Sequence, residues 1–157
     1  MKRLTLMRHA RPERDSPTGR DFDRTLDERG RADAARLGRE IRELGLEFDL
    51  VLVSPAQRAI ETVDAAGGLT PTPDERIYNA TAGELLGIVQ DVADGIDRLL
   101  LVGHNPGFEE LASMLAGCPI GMSAGALVEI ELPIDDWRDA GTARGHLVRF
   151  INPKEWD

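Results

Sequence analysis

Short apolar runs alternate with helical patterns along this chain. Residues 4–7, 50–53, 99–102, 126–130 and 147–151 are rich in Leu and Val, with few polar interruptions. Runs of that length predict strands, several of them covered on both faces as in a parallel or mixed sheet. Between them lie apolar residues at helical spacing with terminal signals. Thr25-Leu26-Asp27-Glu28 has the spacing of a capping box, Leu37, Ile41 and Leu44 follow at i, i+4 and i+7, and Gly45 sits where a C-cap belongs. Ser54-Pro55-Ala56-Gln57 offers an N-cap serine, a proline at the first helical position and a capping-box glutamine. Thr81 and Glu84 repeat the signature ahead of Leu85, Val89 and Val92, and Asn105-Pro106 opens a helix carrying Phe108, Leu111 and Leu115 that Gly117 closes. The order β-α-β-α-α-β-α, then two late strands, predicts an α/β fold: a three-layer αβα sandwich around a central, mostly parallel sheet. No repeat, low-complexity tract or linker-like break interrupts it, so residues 1–157 are expected to form a single domain.

Composition narrows the classes. At 157 residues, with 41% hydrophobic and 30% charged positions, the chain can bury a core and keep a soluble surface. The N-terminal apolar stretch is too short for a signal-peptide core, and no later stretch could span a bilayer. A single cysteine, Cys118, excludes an internal disulfide, and the expected location is cytoplasmic with no membrane partner. The net charge is −9 and there is no basic run, which argues against a nucleic-acid partner. The same field repels anions, so any phosphate chemistry must rest on a few clustered arginines.

Ligand sites in such folds gather at the carboxyl ends of the strands. Three segments leave strands with polar or charged residues there: Arg8-His9, Ser54-Pro55-Ala56-Gln57-Arg58 and Gly103-His104-Asn105. Phosphoryl oxygens carry dispersed negative charge, so their transfer is largely a matter of positioning and electrostatic stabilisation. Arg8 and Arg58 can each donate a planar fork to phosphate. His9, with one neutral ring nitrogen exposed, can attack phosphorus and carry the phosphoryl group. His104, in its protonated form, can hold an equatorial oxygen. Helix N-termini after Ser54 and Asn105 add backbone donors.

Leu6-Met7-Arg8-His9-Ala10, the run from Ser54 to Thr62, and Val102-Gly103-His104-Asn105-Pro106 resemble the histidine phosphatase superfamily, whose fold is phosphoglycerate mutase-like. Short length and the Arg-His-Ala form look most like its SixA-type phosphohistidine phosphatase branch. The resemblance runs from Leu4 to about Gly117, and Leu26 with Gly30 fits the family's first helix. It implies that His9 is the nucleophile, that Arg8 and Arg58 bind phosphate, and that His104 is the second pocket histidine, without metal or organic cofactor.

Two departures bear on the substrate. Ala10 stands where many members carry glycine, and Tyr78-Asn79-Ala80 lies near where mutase-like members place a proton-donating carboxylate. Asn79 cannot donate a proton in that way. An alkoxide leaving group needs such an acid, whereas an already protonated imidazole leaves neutral. The expected substrate is therefore a protein phosphohistidine. A small phosphorylated substrate handled by a broad phosphomonoesterase is the alternative, with Glu84, Glu109 or substrate-derived protons as acid and Glu110 as a further candidate, and a non-catalytic phosphohistidine- or phosphate-binding regulatory module is the rival outside the enzymes. Mutase activity would need a more enclosed site. Glu84 has a capping-box role, and Glu109 and Glu110 suit a helix N-terminus on dipole grounds alone. His146, Cys118 and the loop arginines Arg11, Arg14 and Arg20 are expected at structural or solvated positions. Asn105 is expected to cap a helix, and no residue spacing suggests a metal site.

Overall fold

A computed structural model of the protein describes residues 1–156. Six strands form one sheet: β1 (Lys2–Arg8), β2 (Leu50–Val53), β3 (Pro71–Pro73), β4 (Arg98–Gly103), β5 (Leu127–Leu132) and β6 (His146–Ile151), ordered β3-β2-β4-β1-β5-β6 in space. The first four in that order run parallel, and β5 and β6 pair antiparallel with their neighbours. Helices α1 (Glu28–Glu43) and α2 (Gln57–Ala66) pack on one face, and α3 (Ala82–Gln90) and α4 (Gly107–Ala116) on the other. This is the expected mostly parallel αβα sandwich.

The uninterrupted apolar run of β4 follows directly from that layering. Side chains alternate across a strand, so Leu99 and Leu101 enter the core under α3 and α4, with Leu85, Phe108 and Leu111. Leu100 and Val102 enter the opposite core with Leu37 and Ile41 of α1 and Val63 of α2. All four strand residues are fully buried, each contributing about 1.5–3 kcal/mol by removing apolar surface from water. A side chain at Gly38 would put its Cβ 1.8 Å from the Ala66 carbonyl oxygen, so α1 rides directly on the end of α2. No helix among the described residues is long and apolar enough to cross a membrane.

Local differences from the sequence expectations have identifiable causes. The cap of α1 is Asp27, not Thr25: its carboxylate accepts from the Gly30 N–H at 2.7 Å. The second helix begins at Gln57, with Ala56 in the cap position, rather than after Ser54. The Ser54 hydroxyl is engaged elsewhere, as described below, and Pro55 precedes the helix. The capping box of Thr81 and Glu84 forms as expected, and Gly45 and Gly117 adopt positive φ beyond α1 and α4. Strand β3 is not expected from the sequence because prolines occupy both its ends; at the sheet edge a missing N–H is tolerated.

Candidate active site

Three adjacent strands carry the candidate residues to one edge. In register, Val102 of β4 lies opposite both Met7 of β1 and Val53 of β2, so the three carboxyl ends are level. The ladder extends one step further: the His9 N–H donates to the Gly103 carbonyl and the Ser54 N–H to the Val102 carbonyl, each at 3.0 Å. Gly103 has no room for a side chain, since a Cβ there would meet Phe108 at 2.5 Å and Ile77 at 2.7 Å. His9, Ser54 and His104 thus emerge side by side.

His9 is 5% exposed, and its Nδ1 lies 2.8 Å from the Ala10 carbonyl oxygen. A carbonyl only accepts, so Nδ1 carries the proton and Nε2 keeps its lone pair. Burial is the main force that pulls the His9 pKa down to about 3, with His104, Arg58 and Arg8 pulling the same way against the Ala10 hydrogen bond. The ring is therefore neutral across the physiological range. Ala10 is fully buried, and its N–H donates to Thr62 Oγ1, whose hydroxyl donates to the Arg58 carbonyl. Its backbone is not left-handed, so alanine in place of glycine carries no strain; Asn79 (φ 58°) is the non-glycine residue with positive φ among those described.

Arg8 donates from one terminal nitrogen to the Met122 carbonyl at 2.9 Å, while its buried Nε has no partner among the described residues. Burial lowers its pKa, Glu109 opposes that, and Arg58 adds to it. The rings of His9 and His104 lie 5.2 Å apart. Nε2 of His104 is 2.7 Å from Ser54 Oγ, and its buried Nδ1 is likewise unpartnered. Burial, then Arg58, depress the His104 pKa to about 4. The protonated form expected from sequence is thus not the resting form of the ligand-free site. A dianionic ligand would favour it.

Arg58 lies in the first turn of α2 as expected, but not with the Glu61 or Thr62 partners a surface arginine would take. Its guanidinium donates to the Asp21 backbone carbonyl at 2.8 Å and to the Asp21 carboxylate at 3.0 Å. Asp21, on a short 3-10 turn (Asp21–Asp23), also accepts from Tyr78 Oη at 2.8 Å and from Arg24 at 3.1 Å. Partial burial works to raise its pKa, but the hydrogen bonds from Tyr78, Arg24 and Arg58 win and bring it to about 2. Tyr78 in turn meets His104 edge-on at 5.5 Å, and Phe22 meets Tyr78 edge-on at 5.2 Å. Sequence reasoning missed Asp21, Phe22 and the role of Tyr78. Nothing in the spacing of an Asp in a Pro- and Arg-containing loop marks it as the partner of an arginine 37 residues away.

The remaining candidates separate clearly. Glu84 is exposed and accepts from the Thr81 N–H at 3.0 Å, a bond that lowers its pKa and keeps it ionised. Glu109 accepts from Asn105 Nδ2 at 2.9 Å and from the Met122 N–H at 3.1 Å, and Asn105 Oδ1 accepts from the Glu109 N–H. Pro106, not Asn105, holds the cap position of α4; Asn105, one residue earlier, accepts from the helix's first turn, and Glu109 braces the loop whose Met122 carbonyl receives Arg8. Glu110 and His146 are exposed. Arg11 pairs with Asp27 at 2.8 Å, Arg14 is exposed, and Arg20 lies 6.0 Å from the Phe22 ring. Cys118 packs, partly buried, against the α3–α4 core. A separate cavity of about 740 Å³ lies at the other end of the sheet, near Arg42, Phe48, Leu69 and Arg98. It touches none of the residues above.

Residues 4–105 match the family model of the histidine phosphatase superfamily (branch 1). The chain belongs to that superfamily. The superfamily match together with the similarity to SixA structures supports a phosphatase hydrolase. An uncharacterized Mycobacterium tuberculosis protein is 38% identical over 112 residues, covering 70% of each chain, and an uncharacterized chloroplastic protein of Arabidopsis thaliana is 29% identical over 92% of this chain and 72% of its own. Among solved structures, a candidate phosphohistidine phosphatase SixA from Agrobacterium tumefaciens is similar at a TM-score of 0.82 and 28% identity, covering 97% of this chain and 98% of that one. The protein histidine phosphatase SixA complexed with tungstate shares the fold at a TM-score of 0.83, with 20% identity and 99% of each chain covered.

Proposed function

We propose that this superfamily member hydrolyses phosphohistidine on a protein, with His9 carrying the phosphoryl group between two half-reactions. One observation carries the reading: Nδ1 of His9 is committed to the Ala10 carbonyl, which leaves the Nε2 lone pair in a buried pocket beside Arg8, Arg58 and His104. In the first half-reaction that lone pair forms a bond to phosphorus. The bond from phosphorus to the substrate imidazole breaks, and its electron pair stays on the departing ring nitrogen. Because the other nitrogen of that ring holds a proton, the ring leaves neutral. Water then attacks phosphorus, the electron pair of the breaking bond returns to Nε2, and His9 is neutral again because Ala10 retained its Nδ1 proton. Phosphate departs with the protons of the water.

The unpartnered Nε of Arg8 and Nδ1 of His104 supply donors for phosphoryl oxygens, and a bound phosphoryl group would relieve their lack of a partner. That the SixA complex holds tungstate, an oxyanion, supports the same reading of the fold. The choice of phosphohistidine rests on the state of two carboxylates, Asp21 at the rim of the pocket and Glu84 at the start of α3. Asp21 and Glu84 are both held ionised by hydrogen bonds, which unfits them to donate a proton to an alkoxide.

The test is turnover of a histidine-phosphorylated carrier protein and of p-nitrophenyl phosphate by the full chain. Phosphohistidine hydrolysis, with acid-labile label trapped on the enzyme by rapid quench and absent in His9→Ala, is expected. Activity on the aryl phosphate alone would make the protein a phosphomonoesterase. Phosphate binding without turnover of either would make it a binding module.

A further inference from the structure

Asp21 joins the buried arginine of the pocket to its aromatic rim. It reaches Arg58 on one side and Tyr78 on the other, and Tyr78 lies edge-on to His104. Exposure rises outward along this chain of contacts. His9 and His104 are 5% and 7% exposed, whereas the Asp21 side chain is 49% exposed. Phosphoryl transfer proceeds with attacking and leaving atoms roughly in line. A nucleophile at the buried end therefore places the leaving nitrogen on the outer side of phosphorus, towards the rim formed by Asp21, Phe22 and Tyr78.

The hydrogen-bond inventory of Asp21 leaves room for a ligand. An ionised carboxylate offers about four acceptor sites. Three donors occupy it: Arg58 and Tyr78 on Oδ2, and Arg24 on Oδ1. The groups that face it are thus Arg24 on its own segment, Arg58 from α2 and Tyr78 after β3, with the charge of Asp21 also felt at His104. A second half-exposed acceptor site on Oδ1 remains, carrying negative charge where a leaving group must emerge.

We infer that Asp21 selects phosphohistidine over other phosphoryl compounds, its carboxylate accepting the ring N–H of the substrate's protonated imidazole and keeping that ring cationic until the phosphorus–nitrogen bond breaks. The inference rests on the proposed function and names the source of its substrate preference. No proton is transferred to Asp21. The bond from the outer ring nitrogen to its hydrogen is retained, the electron pair of the broken phosphorus–nitrogen bond stays on the inner nitrogen, and a neutral imidazole departs. A phosphomonoester gains nothing from this carboxylate, since its leaving oxygen offers no such N–H and the negative charge opposes an emerging alkoxide.

The experiment compares wild type, Asp21→Asn and Asp21→Glu on a phosphohistidine peptide and on p-nitrophenyl phosphate, whose leaving group departs without a proton. Asp21→Asn is expected to lose about tenfold or more in kcat/KM on phosphohistidine. The alkaline limb of that profile should also move down by about one pH unit, as the substrate ring loses its anionic neighbour. On the aryl phosphate the loss should be smaller, because Arg58 keeps its bond to the Asp21 backbone carbonyl, so the ratio of the two kcat/KM values is expected to fall about fivefold or more. Asp21→Glu keeps the charge and is expected to restore much of the phosphohistidine preference. Equal losses on both substrates, with weakened orthovanadate binding, would reduce Asp21 to a holder of Arg58 and overturn the inference. If Asp21→Asn fails to fold, loss of the preference in a folded Asp21→Glu overturns it as well. Failure of the wild type itself on phosphohistidine strikes the proposed function first, and is read separately from either variant.

Discussion

Nε2 of His104 and Oγ of Ser54 lie 2.7 Å apart across the ends of β4 and β2. Both side chains are buried, and the serine hydroxyl also accepts from the Ala56 N–H at 3.2 Å. The serine that resembles a helix cap in sequence thus fixes the plane of a pocket histidine. In Ser54→Ala, the imidazole loses that restraint and a buried nitrogen loses its partner. We expect kcat/KM to fall about ten- to a hundredfold and stability to fall by about 1–3 kcal/mol. Steady-state kinetics and a denaturant melt check the two effects together.

Acid should unmask the two depressed histidines. Their folded values, about 3 for His9 and about 4 for His104, lie below the ordinary histidine range. Between those values and about pH 6.5 the unfolded chain binds more protons than the folded one. Their contribution to stability is therefore full above about pH 6.5 and is lost as pH falls towards 3–4. Ring-nitrogen NMR of the ligand-free protein should show both imidazoles neutral at pH 5.5. Midpoints near 6.5 would contradict the burial described here.

Glu84 and Glu109 should respond differently to substitution. Glu84→Gln is expected to leave turnover within about twofold on either substrate. It should still lower the melting temperature, because the ionised capping acceptor for the Thr81 N–H is replaced by a neutral one. Glu109→Ala removes the acceptor shared by Asn105 and the Met122 N–H, which frees the loop that receives Arg8. A rise in KM of about tenfold, with a smaller change in kcat, is expected from kinetics on p-nitrophenyl phosphate.

Arg58→Lys keeps the charge but not the fork. One lysine nitrogen cannot serve the Asp21 carbonyl, the Asp21 carboxylate and a phosphoryl oxygen in one fixed plane. We expect kcat/KM to drop by about a hundredfold on both substrates, and orthovanadate titration should show weaker binding.

Much of this structure is legible in the sequence where burial dictates it. Leu99 to Val102 must face apolar surroundings on both sides, so an uninterrupted run is what a central parallel strand requires. Arg8, His9, Arg58 and His104 can be grouped from sequence because Arg8 ends a strand and the other three follow strand ends. What escaped depends on contacts distant in sequence. Ser54 carries a good cap signal, but His104 competes for its hydroxyl. Asp21 lies in a loop whose arginines and prolines suggest solvent, and only the folded chain brings Arg58 and Tyr78 to it. Pro71 and Pro73 hide a strand that needs few N–H donors because it lies at an edge.

The place of β4 between β2 and β1 has a consequence for how activity emerges during folding. Leu4 pairs with Leu99 and Leu52 with Leu101, so the pocket is assembled only when segments far apart in the chain have closed in correct register. A slip of one residue in β4 would turn Leu100 and Val102 to the wrong core and carry His104 away from Ser54. Such long-range pairing is the slow class of contact. Recovered turnover after dilution from denaturant is therefore a clock for sheet closure, and it should lag behind the return of helical circular dichroism.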